Sequence, residues 1–107
     1  IFGGEPADRP LPGLGAGIVP PLFRREDVDR YVQVTARECV RECRRLVMEE
    51  AILAGGSSGG VIAAIRKMEP EMPDGAICCA ILPDRGERYL QTIYSDEWVA
   101  RTIGDLE

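Results

Sequence analysis

A run of seven consecutive apolar residues, 76–82, constrains the fold more than any other feature, and Pro83 follows it directly. An uninterrupted apolar run of this length is typical of a central strand that is covered on both faces. Such strands occur in parallel sheets, where helical crossovers shield the two faces. The run therefore predicts an α/β fold in which residues 76–82 form a buried strand.

Helical patterns flank two shorter apolar segments. Thr35 and Glu38 have the spacing of a capping box, and apolar residues then recur at three- and four-residue steps. They are Ala36, Cys39, Val40, Cys43, Leu46 and Val47. Further helices are predicted through Val61 to Met68, where Pro70 and Pro73 follow, and from Ser95 to Ile103. Residues 30–34 and 52–54 fit short strands, so residues 30–103 alternate strands and helices, whereas the Gly- and Pro-rich residues 1–22 predict a loop.

Composition excludes several classes of function. Thirteen basic and eighteen acidic residues give a net charge of −5 without a basic stripe, which argues against a nucleic-acid partner. No apolar run approaches the roughly 18 residues of a membrane span, and no signal-peptide pattern begins the chain. We therefore expect a cytoplasmic protein. The four cysteines are not in CxxC pairs and the chain has no His, so we expect buried free thiols and no metal site.

The segment Gly55-Gly56-Ser57-Ser58-Gly59-Gly60 lies between a predicted strand and a predicted helix, where open α/β sheets bind ligands. Its glycines allow a close approach of the backbone, and the helix start offers free N–H groups to an anion or a polar ring atom. It lacks the Lys of a phosphate-binding P-loop and the spacing of a dinucleotide site. A purely structural Gly-rich turn with a serine N-cap is the alternative.

Charged residues follow the apolar run, again at the predicted ligand-binding edge of the sheet. They are Asp84, Arg85, Glu87 and Arg88, and a solvated helix start is the alternative explanation for them. Without His, the chain has no catalytic triad or histidine acid–base pair. Its single lysine, Lys67, is predicted on an exposed helix side and is a poor candidate for a Schiff base. We therefore expect no catalytic residue in this segment.

Three blocks resemble the cysteine-synthase family in order and spacing. They are residues 13–17 (GLGAG), 50–59 (EAILAGGSSG) and 82–90 (LPDRGERYL). The resemblance implies the fold type II fold of pyridoxal-phosphate (PLP) enzymes, which is tryptophan synthase β-like with a parallel-type sheet and helical crossovers. It also implies that residues 1–107 are the C-terminal portion of the larger, PLP-binding domain. The chain opens at Ile1 without a Met, which agrees with a piece of a longer protein.

The resemblance also implies roles for individual residues. Ser57 takes the position that hydrogen-bonds the pyridine nitrogen of PLP, and we expect that a hydroxyl there leaves the ring close to neutral. This favours β-replacement on an activated serine. Gly15 and Ala16 fall in a loop at the active-site mouth, and Asp84 follows the strand that leads to the ring, so all three are expected beside substrate. The Schiff-base lysine, a ring-contacting asparagine and the phosphate loop belong upstream, so the segment alone is inactive.

Within the family, the closest resemblance is to the 2,3-diaminopropionate branch, because Arg85 stands where many sulfide-using members have Ser. That branch joins O-phosphoserine to the amino group of glutamate and gives N-(2-amino-2-carboxyethyl)-glutamate for siderophores or peptide antibiotics. Arg85 is then expected to hold an acidic substrate. An O-acetylserine-using cysteine synthase, a cystathionine-forming relative and a non-catalytic α/β interaction module remain alternatives. The family resemblance further implies a homodimer, with amino acids as substrates and neither membrane nor nucleic acid as a partner.

Overall fold

The computed structural model of this chain describes residues 10–14 and 19–106. Three α-helices run through this part: α1 (Ala36–Glu50), α2 (Gly56–Met68) and α3 (Asp96–Thr102). Single 3-10 turns occupy Arg25–Asp27, Glu69–Glu71 and Glu87–Tyr89. Helices α1 and α2 pack against each other. Within the described residues, no helix is both long and apolar enough to span a membrane.

Helix α1 begins at the predicted capping box. Thr35 Oγ1 accepts a hydrogen bond from the Glu38 backbone N–H at 3.1 Å, and Glu38 Oε2 accepts one from the Thr35 N–H at 2.7 Å. The helix ends where Ala51 adopts a left-handed conformation, with φ of 56°, and its N–H bonds the carbonyls of the last turn. The predicted apolar face is confirmed, since its central residues are buried.

Glu42 is an exception to the predicted pattern of α1. The sequence places it on the charged side of the helix, but it is buried, with 2% of the residue exposed. Its two carboxylate oxygens accept from Arg45 Nη1 at 3.3 Å and from Arg66 Nε at 2.7 Å. A buried carboxylate is tolerated when its charge is paired and hydrogen-bonded. The ion pair to Arg66 thus ties α1 to α2.

Helix α2 starts inside the Gly-rich segment. Gly55 is the N-cap and makes no side-chain capping bond, while Ser57 is the second residue of the helix. The alternative of a serine N-cap is therefore wrong. A Cβ atom on Gly59 would lie 2.1 Å from the Cys39 carbonyl oxygen, so the backbones of α1 and α2 approach too closely for any other residue.

The predicted sheet is absent from the described residues. They contain no β-strand, and the only pairing found there is one antiparallel bridge between Ala54 and Arg85. The segment 76–82 is solvent-exposed: Ile77 is 98% and Ile81 78% exposed. The prediction of a buried strand in this chain is thus wrong. A strand needs neighbouring strands to pair its backbone groups and helices to cover its faces, and the described part of the chain supplies neither to this segment.

The four cysteines form one buried pair and one exposed pair. Cys39 and Cys43 on α1 are fully buried, as predicted, and burial raises the pKa of each thiol to about 11. Cys78 and Cys79 are exposed because they belong to segment 76–82, so the prediction of buried thiols is wrong for this pair. All four are free thiols, as expected.

The core lies between α1 and the C-terminal part of the chain. Its buried members are Leu11, Cys39, Val40, Cys43, Ile93 and Val99. The predicted final helix is confirmed as α3, and the Ser95 hydroxyl oxygen accepts from the Trp98 N–H at 3.3 Å. Arg44 joins the two parts, since its Nε donates to the Ile93 carbonyl at 3.0 Å and its Nη1 to Asp96 Oδ1 at 2.7 Å.

Candidate functional site

Two loops that are distant in sequence meet at the start of α2. The Gly55 N–H donates to the Asp84 carbonyl at 3.3 Å, and the Gly86 N–H donates to the Leu53 carbonyl at 3.0 Å. A Cβ atom on Gly86 would lie 2.8 Å from the Ala54 carbonyl oxygen, so this contact requires a glycine. The two bonds flank the Ala54–Arg85 bridge and fix Asp84 beside the first turn of α2.

Three hydroxyl groups lie within hydrogen-bonding distance of the Asp84 side chain. Ser57 Oγ donates to Asp84 Oδ1 at 3.2 Å, and Tyr89 Oη donates to Asp84 Oδ2 at 2.7 Å. Ser58 Oγ lies 3.4 Å from the Asp84 carbonyl oxygen and 3.5 Å from Oδ1. Ser57 is 9% exposed and Ser58 is fully buried. We call these four residues the serine–aspartate cluster.

The position of Asp84 also suits the electrostatics of α2. A Cβ atom on Gly55 would lie 2.2 Å from Asp84 Oδ1, so the missing side chain at the N-cap makes room for this carboxylate. A helix N-terminus carries about half a positive charge, which a carboxylate at that place offsets. Asp84 therefore caps α2 from a distant part of the chain. Its hydrogen bond from Tyr89 raises the pKa of that phenol.

Two further side chains hold the backbone that leads into α2. The Tyr94 hydroxyl donates to the Ala54 carbonyl oxygen, and Cys43 Sγ donates to the Gly55 carbonyl at 3.1 Å. Burial raises the pKa of both groups, to about 11 for Cys43, so both are neutral near pH 7. They are structural donors at this site and carry no charge into it.

The structure brings together two of the predicted site residues, Ser57 and Asp84. Arg85 is next in the chain, but its side chain is 87% exposed and its Nη2 lies 2.8 Å from Glu87 Oε1. Gly15 and Ala16 fall outside the described residues. Gly13, which begins the same loop, has φ of +84°, and a Cβ atom there would lie 3.5 Å from Ser57 Oγ. The start of that loop therefore lies against Ser57.

Sequence reasoning missed three of the groups that build this site. Tyr89 lies in the block of residues 82–90 that carries the family resemblance, and the 3-10 turn over Glu87–Tyr89 brings its hydroxyl back to Asp84. Its five-residue spacing from Asp84 is a weak signal that could have suggested the contact. Tyr94 and Cys43 lie far from the Gly-rich segment in sequence, and no local pattern marks them.

The donor set of the cluster fits the pyridine end of PLP, the cofactor that the family resemblance implies. It offers the hydroxyl of Ser57 at a helix start where glycines leave room for close approach. It does not provide a covalent attachment point, because Lys67 Nζ bonds the Gln33 carbonyl at 2.8 Å and pairs with Glu38 at 3.0 Å. A hydroxyl at this place can contact the ring nitrogen, but the single lysine of this chain is not free for covalent attachment.

Comparison with known proteins relates this chain to a synthase. No family model matches this chain. It is 46% identical over 101 residues to N-(2-amino-2-carboxyethyl)-L-glutamate synthase from Ralstonia nicotianae. The chain is a homologue of a segment of that synthase. The match covers 94% of the chain but only 30% of the synthase, so the chain spans about a third of the relative's length. The resemblance to a synthase of this name is thereby confirmed, and the relative is by its name an enzyme.

Proposed function

We propose that the full-length protein containing this chain is a PLP-dependent synthase that performs β-replacement on O-phosphoserine. Glutamate supplies the amino group, and the product is N-(2-amino-2-carboxyethyl)-glutamate. The 46% identity to the synthase of that name is the observation that carries the proposal. The buried Ser57 at the start of α2 supports it, because this residue lies where the resemblance requires a hydrogen-bonding group for the ring.

The residues of this chain bind and orient the cofactor in this proposal. When bound, PLP supplies the electron sink for loss of the α-proton and the leaving group. Ser57 contacts the ring nitrogen, and Asp84 holds the Ser57 side chain in place. Tyr89 donates to the other carboxylate oxygen at 2.7 Å, and Ser58 Oγ lies 3.5 Å from Oδ1. The backbone at Gly13 approaches Ser57 closely, since a Cβ atom there would lie 3.4 Å from the Ser57 Cβ.

We further propose that other segments of the full-length protein complete the sheet. Segment 76–82 is apolar throughout yet exposed, and its relative is about three times as long as the chain. Neighbouring strands from those segments would pair its backbone, as the fold type II fold requires of a parallel sheet. The Schiff-base lysine would come from the same segments, since Lys67 is engaged by Glu38.

Arg85 is the residue that we propose to bind an acidic substrate. Its guanidinium adjoins the serine–aspartate cluster in sequence, is mostly exposed and pairs with the exposed Glu87. A substrate phosphate or carboxylate can displace such a partner, because an exposed ion pair contributes at most about 1 kcal/mol. The substitution Arg85→Ser should raise the KM for phosphoserine or glutamate, whereas Arg88→Ser removes an equal charge as a control. Unchanged KM values for both substrates would rule out this role.

Mass spectrometry of the products tests the proposed reaction. The full-length protein would receive PLP and O-phosphoserine with either glutamate or sulfide. A mass equal to the glutamate adduct is the expected result. Cysteine as the preferred product would place the protein among the sulfide-using members instead. A full-length protein that binds no PLP would favour the interaction module and contradict the proposal.

A further inference from the structure

We propose that Leu11 and Leu14 are positioning residues for the cofactor contact of Ser57. The two leucines hold the stretch of backbone between them beside this serine, which limits the rotation of its hydroxyl. The inference rests on the proposed function, because it requires that the cofactor ring lies at Ser57. It adds two apolar residues to that function, and both act through Ser57 rather than on the ring.

Helix α2 presents two glycines on the side that carries Ser57. Gly56 and Gly60 are four residues apart and Ser57 is three residues before Gly60, spacings that bring positions to one side of a helix. A Cβ atom on Gly56 would lie 3.2 Å from Leu11 Cδ1. A Cβ atom on Gly60 would lie 3.1 Å from Leu14 Cδ2. Both distances are shorter than the optimal separation of about 3.5–4.0 Å between carbon atoms, so each glycine forms a notch that receives one leucine.

Both leucines are also attached to the core. Leu11 is 3% exposed and belongs to the buried cluster between α1 and the C-terminal part of the chain, and Leu14 packs against that cluster. Removal of apolar side chains from water stabilises such contacts. Pro12 further restricts the backbone between the two leucines, because its ring fixes φ at about −65°. The chain is therefore anchored on both sides of Gly13.

Gly13 brings this anchored backbone to Ser57. Its φ is +84°, a conformation that favours glycine, and a Cβ atom there would lie 3.4 Å from Ser57 Cβ and 3.5 Å from Ser57 Oγ. The Ser57 hydroxyl donates to Asp84 Oδ1 at 3.2 Å, and the residue is 9% exposed. Ser57 is thus buried with the Gly13 backbone and the Asp84 side chain as neighbours, which leaves little space for its hydroxyl to rotate.

A hydroxyl that is already oriented strengthens the binding of the cofactor. A serine side chain has three staggered positions about χ1, and only one direction of the hydroxyl suits a given ring. If residues 11–14 were displaced and the three positions became equally populated, the binding-competent fraction would fall to about one third. The apparent dissociation constant is inversely proportional to that fraction, so it would rise by about threefold. The leucines therefore contribute affinity by pre-organising Ser57.

The test is the dissociation constant of PLP from the full-length protein, measured by titration of the apoprotein and followed by the absorbance of the bound cofactor. Leu14→Ala empties the notch at Gly60 and should raise this constant by about threefold. Leu14→Met conserves the apolar volume and should keep the constant of the unmodified protein. Leu46→Ala is the matched control, because it truncates a buried leucine on α1 that lies outside residues 11–14, and it should leave the constant unchanged.

A double-mutant cycle separates this role from a loss of packing. In a Ser57→Ala protein there is no hydroxyl to orient, so Leu14→Ala should cause no further rise in the dissociation constant. A general loosening of α2 would instead weaken PLP binding equally with and without Ser57. If Leu14→Ala does not fold, Gly60→Ala gives the same test, because its Cβ would press on Leu14 Cδ2 at 3.1 Å. It should raise the constant in the same direction, and again only when Ser57 is present.

The outcomes distinguish this inference from the proposed function. An unchanged dissociation constant in the variant that folds, or an equal rise with and without Ser57, would overturn the inference. Neither result affects the glutamate adduct that the proposed reaction predicts. A full-length protein that does not bind PLP at all would contradict the proposed function and, with it, the basis of the inference.

Discussion

The α1–α2 pair and segment 76–82 are both rich in apolar residues, yet the first buries many of them and the second leaves them exposed. On α1, Cys39 and Cys43 are fully buried against a second helix. On segment 76–82, Cys78 and Cys79 are exposed together with Ile77. The difference is that a helix satisfies its own backbone and needs one covering surface, whereas a central strand needs partners on both edges and both faces.

This contrast shows which parts of the chain are self-sufficient. Helix α2 reaches α1 because Gly59 allows the two backbones to touch, and the serine–aspartate cluster is then assembled at the start of α2. All the contacts that define the cluster come from this chain. Segment 76–82 finds no such partner within the described residues. The serine–aspartate cluster is therefore built from contacts within this chain, whereas segment 76–82 has no covering partner among the described residues.

Gly59→Ala should produce the largest loss of stability, because it disrupts the contact between α1 and α2. The new Cβ would lie 2.1 Å from the Cys39 carbonyl oxygen and 2.6 Å from Cys43 Sγ, and a backbone oxygen cannot move aside cheaply. We expect a loss of about 3 kcal/mol or more in the free energy of unfolding, measured by urea denaturation of the full-length protein.

Gly60→Ala is the matched control for this change. Its Cβ would lie 3.1 Å from Leu14 Cδ2, the end of a flexible side chain that can shift. The expected cost is well below that of Gly59→Ala. Equal losses in the free energy of unfolding for the two variants would show that α1 and α2 pack less closely than these distances indicate.

Ile77→Asp tests segment 76–82 both in the 107-residue chain and in the full-length protein. In the 107-residue chain Ile77 is 98% exposed, so we expect a change within about 0.5 kcal/mol and less aggregation. In the full-length protein the same side chain should be buried in the sheet, and a charge there should cost about 2 kcal/mol or more. Urea unfolding and light scattering measure the two effects. Equal stabilities in the full-length protein would mean that segment 76–82 stays exposed there.

Thiol reactivity is the smallest of these effects, but a single experiment compares the cysteines of α1 with those of segment 76–82. In the native chain, Cys78 and Cys79 should react with a thiol reagent at pH 8, whereas Cys39 and Cys43 should react only after unfolding. Burial raises the pKa of the latter pair from 9.0 to about 11, which lowers their thiolate fraction by about 100-fold near neutral pH. Four thiols that react at one rate would contradict the division.

The same pKa shift gives a pH dependence with a definite sign. The folded state favours the protonated thiols, so their contribution to stability is fully present below pH 9 and is lost as the pH rises towards 11. Cys39→Ala should reduce this slope between pH 9 and 11, while Cys78→Ala should leave it unchanged because Cys78 is exposed.

Much of the helical structure was predictable because its signals are local. The capping box at Thr35, the apolar period of α1 and the Ser95 cap of α3 each lie within one or two turns. The place of Ser57 at a helix start was predictable because the Gly-rich segment leads into the helical pattern that runs from Val61. The role of Tyr89 was not predictable with the same ease, since it depends on how a 3-10 turn directs one hydroxyl.

The sequence by itself determined the helices and the presence of a polar group at the start of α2, because these depend on short-range periodicity and capping. Only the tertiary structure decided that Asp84 receives the hydroxyls of Ser57, Ser58 and Tyr89, since that contact joins loops 27 residues apart. It also decided that segment 76–82 is exposed here. An apolar run indicates that a segment prefers burial, but whether it is buried depends on which other segments pack against it.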